Sequence, residues 1–334
     1  MKILTILIFS GDRLSIEELL EDIAKLKKFE ISIRIVDWAK DKKKLGKKKK
    51  IYSNYKKKIN DFKVKYDFSK SWEARYKKYV NIFKSKYILI IGDDDRINIL
   101  NFKKILNLLK YNYSGITFSY KSFQKNHEIS KYCRYKIDNY SVRPFNLKND
   151  LKKIGYISCN IIRTDLIARI FKNEKKYLMK TVFPQNYIIL SIISKFNNWG
   201  VSNLECIFNR SGSLNIFKLS QKKLENYLNI SSRLKSEYLG YLHPLKRNFT
   251  KLNENQLNEL YKDIFFNNIL SWLFVSVKLI GKKKTFNNIN NIRNIIKEPI
   301  QIQFILKFIY ICPIILLDLL KFFRKFLRKI LNAI

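Results

Sequence analysis

Residues 87–97 read Tyr-Ile-Leu-Ile-Ile-Gly-Asp-Asp-Asp-Arg-Ile. The run Tyr87 to Ile91 is apolar on nearly every residue, without the polar alternation of a half-exposed strand. It therefore fits a strand covered on both faces, as in a parallel sheet flanked by helices. Gly92 ends it, and Asp93, Asp94 and Asp95 follow at once. Adjacent like charges repel and raise one another's pKa, so something must compensate. Carboxylate oxygens suit Mg²⁺ or Mn²⁺, whose other ligands are water and substrate phosphate. The carboxyl end of sheet strands is also where open α/β folds bind their ligands. A solvated turn capping a helix that begins near Asn98 is the plain alternative, and the apolar strand with its entry glycine favours the site.

Upstream, Ile3 to Phe9 is another β-rich apolar run. It is too short for a signal peptide and has no small-residue cleavage site, and Gly11-Asp12-Arg13 follow directly, so it reads as a buried strand. Ser15 and Glu18 have the spacing of a capping box, and Leu19, Leu20, Ile23 and Leu26 recur at helical period. Ile31 to Val36 reads as an alternating strand ending at Asp37. Strand, helix, strand is the opening of an α/β domain with a right-handed crossover. The lysine-rich stretch Lys42 to Lys58 reads as a solvated loop and helix face. Phe62 to Val64 reads as a third strand, Trp72 to Phe83 as a helix, and Ile99 to Leu109 as another.

Further on, 115–215 mixes short strands and helices, and the chain beyond is mostly helical in period. We expect two domains, 1–215 and 216–334, within the 334 residues. With 46% hydrophobic residues there is ample material for a core. Lys+Arg 67 against Asp+Glu 27 leaves +40, a charge that attracts polyanions but also follows from lysine use on plain helix faces. Cys133, Cys159, Cys206 and Cys312 are scattered, and His127 and His243 lie far apart, which argues against a zinc site or disulfide framework. The end of the chain, Ile314 to Ile334, places Leu319, Phe322, Phe323, Phe326 and Leu327 on one face and Lys321, Arg324, Lys325 and Arg328 on the other. Ile302 to Leu320 is interrupted by Lys307, Pro313 and Asp318, so a spanning helix is not expected. A basic amphipathic helix suits an anionic membrane surface instead.

The segment YILIIGDDDRI resembles the DxD region of family 2 (GT-A) glycosyltransferases, most nearly the bacterial surface-polysaccharide, abequosyltransferase-like members. The opening ILTILIFSGDR resembles that family's first strand and turn, although the usual Pro-Thr-Tyr-Asn is absent. Ile35-Val36-Asp37 resembles its second-strand end, and Ser71 to Tyr79, with Arg75, a helix near the nucleotide. The first third of the chain carries most of this resemblance. It implies a GT-A Rossmann-like mixed sheet flanked by helices with a helical C-terminal extension, and an enzyme moving sugar from a nucleotide-diphosphate sugar to a saccharide or lipid-linked acceptor. It further implies that Asp37 contacts the base, that Asp93 faces the ribose, and that Mg²⁺ or Mn²⁺ sits among Asp93, Asp94 and Asp95. Arg75 and Arg210 would add positive charge near the donor. The family inverts the anomeric centre with a carboxylate base, yet the corresponding stretch here, Val182 to Tyr187, has Gln185 and no acid. A glutamine can position a hydroxyl but cannot accept its proton, so the base is unassigned; Gly155 to Cys159 and Phe183 to Asn186 are, by position, candidates to line the acceptor site. The implied place of work is the cytoplasmic, inner face of the cell membrane. A nucleic-acid-binding protein is the alternative raised by the charge, but no binding motif accompanies it and an acidic triplet repels phosphate, so no nucleic-acid partner is expected. A non-catalytic relative is the alternative raised by the missing base.

Overall fold

The computed structural model describes residues 2–68, 72–123, 142–151, 153–178, 183–196, 198–210, 234, 238–250, 252–265, 270–286 and 300–311. The sequence segments Ile314 to Ile334, His127, Cys133 and Cys312 lie outside the described residues, and so does the amphipathic helix expected there. The chain divides into two compact units, Met1–Lys180 with Pro184–Leu214, and Thr181–Phe183 with Asn215–Ile334.

The first unit is built on one mixed sheet. Strand β1 (Leu4–Ser10) is buried at every residue. It pairs in parallel with β2 (Ile31–Asp37) on one side and with β4 (Tyr87–Gly92) on the other. Strand β3 (Phe62–Tyr66) adds to β2, also in parallel. These four strands, in the order β3-β2-β1-β4, are the ones expected from the sequence; β1 and β4 are the near-continuous apolar runs, as helical crossovers on both faces require, while β2 alternates and the edge strand β3 is largely exposed. Beyond β4 the sheet turns antiparallel through β8 (Asn160–Arg163), then continues with β6 (Gly115–Phe123), β9 (Trp199–Arg210) and the two-residue β5 (Arg96–Ile97), while β7 (Val142–Pro144) also pairs with β9.

One face of the sheet, carrying Leu4, Ile6, Ile8, Ile33, Ile35 and Leu89, packs against helix α1 (Ile16–Ala24), helix α2 (Lys42–Lys58) and helix α4 (Ile99–Leu108). The opposite face meets helix α3 (Trp72–Tyr79), where the Phe9 and Tyr76 rings stack at 6.5 Å. Gly115 is needed where β6 crosses Trp199, because a Cβ there would lie 2.3 Å from the indole.

Two local readings change. Ser15 does sit at the N-cap of α1, but its backbone is helical and its side chain makes no capping bond. Glu18 is drawn away to Arg96 at 3.0 Å and Arg210 at 2.7 Å, so two charge-assisted bonds displace the reciprocal cap. Helix α2 is not wholly solvated either: Lys48, Tyr52 and Tyr55 form a buried face on it.

Described by itself, the second unit is helical. It includes the helices His243–Asn248, Glu254–Ile264, Leu270–Ile280 and Ile300–Ile311. Asn253 and Gln256 make the capping box that Ser15 and Glu18 do not, with reciprocal bonds of 2.9 and 3.0 Å. Among the described residues no helix is long and apolar enough to cross a membrane.

Candidate donor site

The parallel register sets three strand ends abreast: Ser10 of β1 lies opposite Asp37 of β2, and Phe9 lies opposite Gly92 of β4. The turns leaving β1 and β4, with Trp38 after β2, line a cleft of about 380 Å³, whose walls include Phe9, Asp12, Arg13, Trp38, Asp93 and Asp94. This is the carboxyl edge of the sheet, where an open α/β fold presents backbone and side chains to a ligand.

Asp37 is 0% exposed and paired with Lys48, also 0% exposed, at 2.7 Å. The Tyr52 hydroxyl donates a short bond to the same carboxylate oxygen, and the Ala39 amide donates to the other at 2.8 Å. Burial, then the neighbouring Asp37, pushes the Tyr52 phenol upward, so it remains a donor. Lys48 also donates to the Ser10 hydroxyl and to the Gly11 carbonyl, each at 2.6 Å. Ser10 in turn donates to Asp93 at 2.8 Å, and the Gly11 amide donates to the same oxygen at 3.0 Å. One lysine from α2 thus ties together the ends of β1, β2 and β4.

The three consecutive acids go three ways. Asp93 faces back toward Ser10 and Gly11; burial raises its carboxyl above the ordinary range, while Ser10, Arg13 and Lys48 oppose that. Asp95 turns away to accept from the Tyr156 hydroxyl at 2.7 Å and the Ser158 hydroxyl at 2.6 Å. Burial pushes the Asp95 carboxyl up to about 6, against those two hydrogen bonds. Asp94, with its side chain 15% exposed, meets Arg13, whose guanidinium also lies 3.5 Å from Asp93. Gly92 makes room for the divergence: a Cβ there would lie 3.0 Å from an Asp94 oxygen and 3.3 Å from an Asp95 oxygen.

The other expected residues are placed as follows. Arg75 is buried with its guanidinium 4.2 Å from the Trp38 ring centroid, so it reaches the cleft through that indole. Arg210 pairs with Glu18 and is not among the cleft-lining residues. Gln185 is buried in the first turn of the helix Pro184–Phe196, its side-chain oxygen has no hydrogen-bond partner, and it too lies off the cleft lining. Sequence reasoning passed over Arg13, Trp38 and Lys48; Tyr156 and Ser158 lie in the stretch Gly155 to Cys159 expected by position to line the acceptor site, and their bonds to Asp95 were not foreseen. For Lys48 a signal existed: it falls in helical step with Tyr52, Tyr55 and Ile59, the side of α2 that must be apolar.

Among the described residues no three His, Cys, Asp or Glu side chains converge as a metal centre. What the cleft offers a divalent ion is the Asp93 oxygen not bonded to Ser10 and Gly11, together with the carboxylate of Asp94, both of them facing Arg13. One or two carboxylates completed by water and substrate phosphate is how Mg²⁺ is commonly held beside a diphosphate, so the donor set fits.

No protein-family model matches the sequence, and no curated protein matches it. Among solved structures the chain is similar to S. aureus TarS 1–349 in complex with UDP-GlcNAc, with a TM-score of 0.60 and 16% identity over 87% of this chain and 80% of that one. It is also similar to a longer structure of S. aureus TarS, with a TM-score of 0.56 and 16% identity, covering 88% of this chain and 49% of the other, about half its length. The mannosyltransferase PcManGT from Pyrobaculum calidifontis in complex with GDP-Man and Mn²⁺ aligns at a TM-score of 0.49 and 8% identity over 82% of this chain and 73% of that one, too low to carry a structural argument. Identities of this size speak to architecture alone, and the architecture shared with TarS is a mixed, mostly parallel Rossmann-like sheet flanked by helices.

Proposed function

We propose that this chain transfers a sugar from a nucleotide-diphosphate sugar to a saccharide or lipid-linked acceptor, with Mg²⁺ or Mn²⁺, in the synthesis of cell-surface polysaccharide. The observation that carries this reading is the cleft itself: Asp93, Asp94, Arg13 and Trp38 gathered at the carboxyl ends of β1, β2 and β4. The same fold in TarS is seen with UDP-GlcNAc, which supports a nucleotide-sugar donor here.

In this reading Asp93 and Asp94 hold the divalent ion. When bound, that ion neutralises charge growing on the departing nucleoside diphosphate. Trp38, backed by Arg75, gives the nucleotide a flat apolar wall. Asp37 is enclosed, so it acts through what it fixes: Lys48, and the Trp38–Ala39 backbone. Inverting transfer requires the acceptor hydroxyl to attack from the side opposite the diphosphate and to lose its proton. The acids on the cleft wall, Asp12, Asp93 and Asp94, are all engaged: Asp12 caps the Lys40 amide at 2.8 Å and the Asp41 amide at 3.1 Å. Gln185 would orient a hydroxyl without taking its proton.

A station on the inner face of the membrane is supported by the helix Ile300–Ile311, where Phe304, Phe308 and Ile311 stand exposed at helical spacing. In the sequence that helix precedes the basic amphipathic segment.

Thermal unfolding against UDP and GDP, with and without Mn²⁺, tests the function. A ligand at a hundred times its Kd stabilises the native state by about 2.7 kcal/mol, and we expect such a rise for one nucleotide only when Mn²⁺ is present. No rise with any nucleoside diphosphate, together with a salt-sensitive DNA mobility shift, would favour a nucleic-acid binder instead. A rise without hydrolysis or transfer of the nucleotide-sugar would mark a non-catalytic relative.

A further inference from the structure

Among the described residues, Arg13 is the cation that meets the Asp93–Asp94 pair from the cleft side. The other groups on these acids come from behind: Ser10 and Gly11 hold Asp93, and Lys48 holds Ser10 in turn. Ser10 and Lys48 are buried and Gly11 is partly so, whereas the Arg13 side chain is 39% exposed and lies on the turn between β1 and α1. Its guanidinium touches Asp94 and lies 3.5 Å from Asp93. It therefore stands on the two carboxylates that best fit a divalent ion. A guanidinium and a dication cannot share that pair without strong like-charge repulsion.

We propose that Arg13 changes partners as the donor enters, leaving the Asp93–Asp94 pair to the divalent ion and taking up the diphosphate. This rests on the reading of the cleft as a nucleotide-diphosphate site. The physical reason is charge matching at each stage. Without ligand, Arg13 neutralises two acids held close together in a poorly solvated turn. With ion and diphosphate present, the ion takes the carboxylates, and the guanidinium finds in the phosphate oxygens a planar, bidentate partner at least as good as the one it left. An ion arriving alone must expel Arg13 into water, and a diphosphate arriving alone meets uncompensated acids. Each ligand lowers the cost of binding the other, so they bind as a cooperative unit, and linkage makes the effect reciprocal. The cleft is thereby protected from filling with a divalent ion before the donor is there.

The exchange has a signature that a structural arginine would not show, because its two effects have opposite signs. Mn²⁺ binding to the full chain, without nucleotide, is read from the electron paramagnetic resonance signal of the free ion. UDP and GDP binding are read by calorimetry at saturating Mn²⁺. Arg13→Gln should bind Mn²⁺ alone more tightly, by about three- to tenfold, since a competing surface cation is gone. The same variant should lose about tenfold or more in nucleoside diphosphate affinity, the worth of a charge-assisted bond. Arg13→Lys, with charge but no fork, should stay near wild type for Mn²⁺ and recover only part of the nucleotide affinity. In wild type, saturating nucleotide should raise Mn²⁺ affinity about tenfold or more, a measurement that needs no variant. If Arg13→Gln weakens both ligands together, or changes neither, the exchange is overturned while the donor site stands. If wild type binds neither UDP nor GDP with Mn²⁺, the donor site fails and the exchange fails with it.

Discussion

Two charge networks brace the first unit, and they are finished to different degrees. In one, Arg96 forks onto Asp22 at 2.6 and 2.8 Å, reaches Glu18 at 3.0 Å, and shares Glu18 with Arg210. The Ile97 amide adds a bond to Asp22 at 3.1 Å. Every charge there has an opposite charge within reach, and the result pins β5 and β9 to α1. The other runs from Asp37 through Lys48 and Ser10 to Asp93, and ends at Arg13 and Asp94 on the cleft wall. It is equally tight at its buried end and loose at its open end. A network that closes on itself serves the fold, and one that is rigid behind and replaceable in front can hand its outer charges to a ligand.

Substitutions can break that contrast, and the largest effect is expected at Lys48. Lys48→Met leaves Asp37 sealed in without a counter-ion, a change that costs about 3–5 kcal/mol. Urea unfolding should show it as a large fall in midpoint, with nucleotide binding lost as Ser10 and Gly11 come adrift. Arg96→Ala should cost about 2 kcal/mol, less because its side chain is partly solvated, and Arg210→Ala about 1 kcal/mol or less. Neither should alter nucleotide affinity in the protein that remains folded. A clear loss in Arg210→Ala would restore the donor-side role that the family resemblance implies, and would blur the contrast. Asp94→Ala should shift stability by no more than about 0.5 kcal/mol, as for a surface change, yet abolish Mn²⁺-dependent nucleotide binding. Unchanged binding in that variant would remove the divalent-ion assignment.

These networks also show what a sequence discloses. Strands β1 and β4 were readable because burial on both faces leaves them nearly all apolar, and β2 because its apolar residues alternate, and Asp37 and Asp93 stood out as charges at the ends of such runs. Lys48 did not, because a chain with 67 Lys+Arg surrounds it with solvated lysines of the same kind. Only its position on the inward side of α2 separates it from them. The bonds from Tyr156 and Ser158 to Asp95 were hidden for another reason: they span 61 and 63 residues, and no local pattern reports a contact of that range. Ser15 and Glu18 show the reverse failure. Their spacing is right for a cap, but a distant pair of arginines outbids it, while Asn253 and Gln256, free of such competition, complete one.

Gly92 sets a limit on how this chain can vary. A single added carbon at that position would lie 3.0 Å and 3.3 Å from two carboxylate oxygens, so both acids would have to shift to admit it. The many lysines outside can drift with little effect on the cleft. The spacing of its negative charges depends instead on a place where the chain carries no side chain at all, so mutational tolerance near the site should follow the shape of the turn more closely than the charge around it.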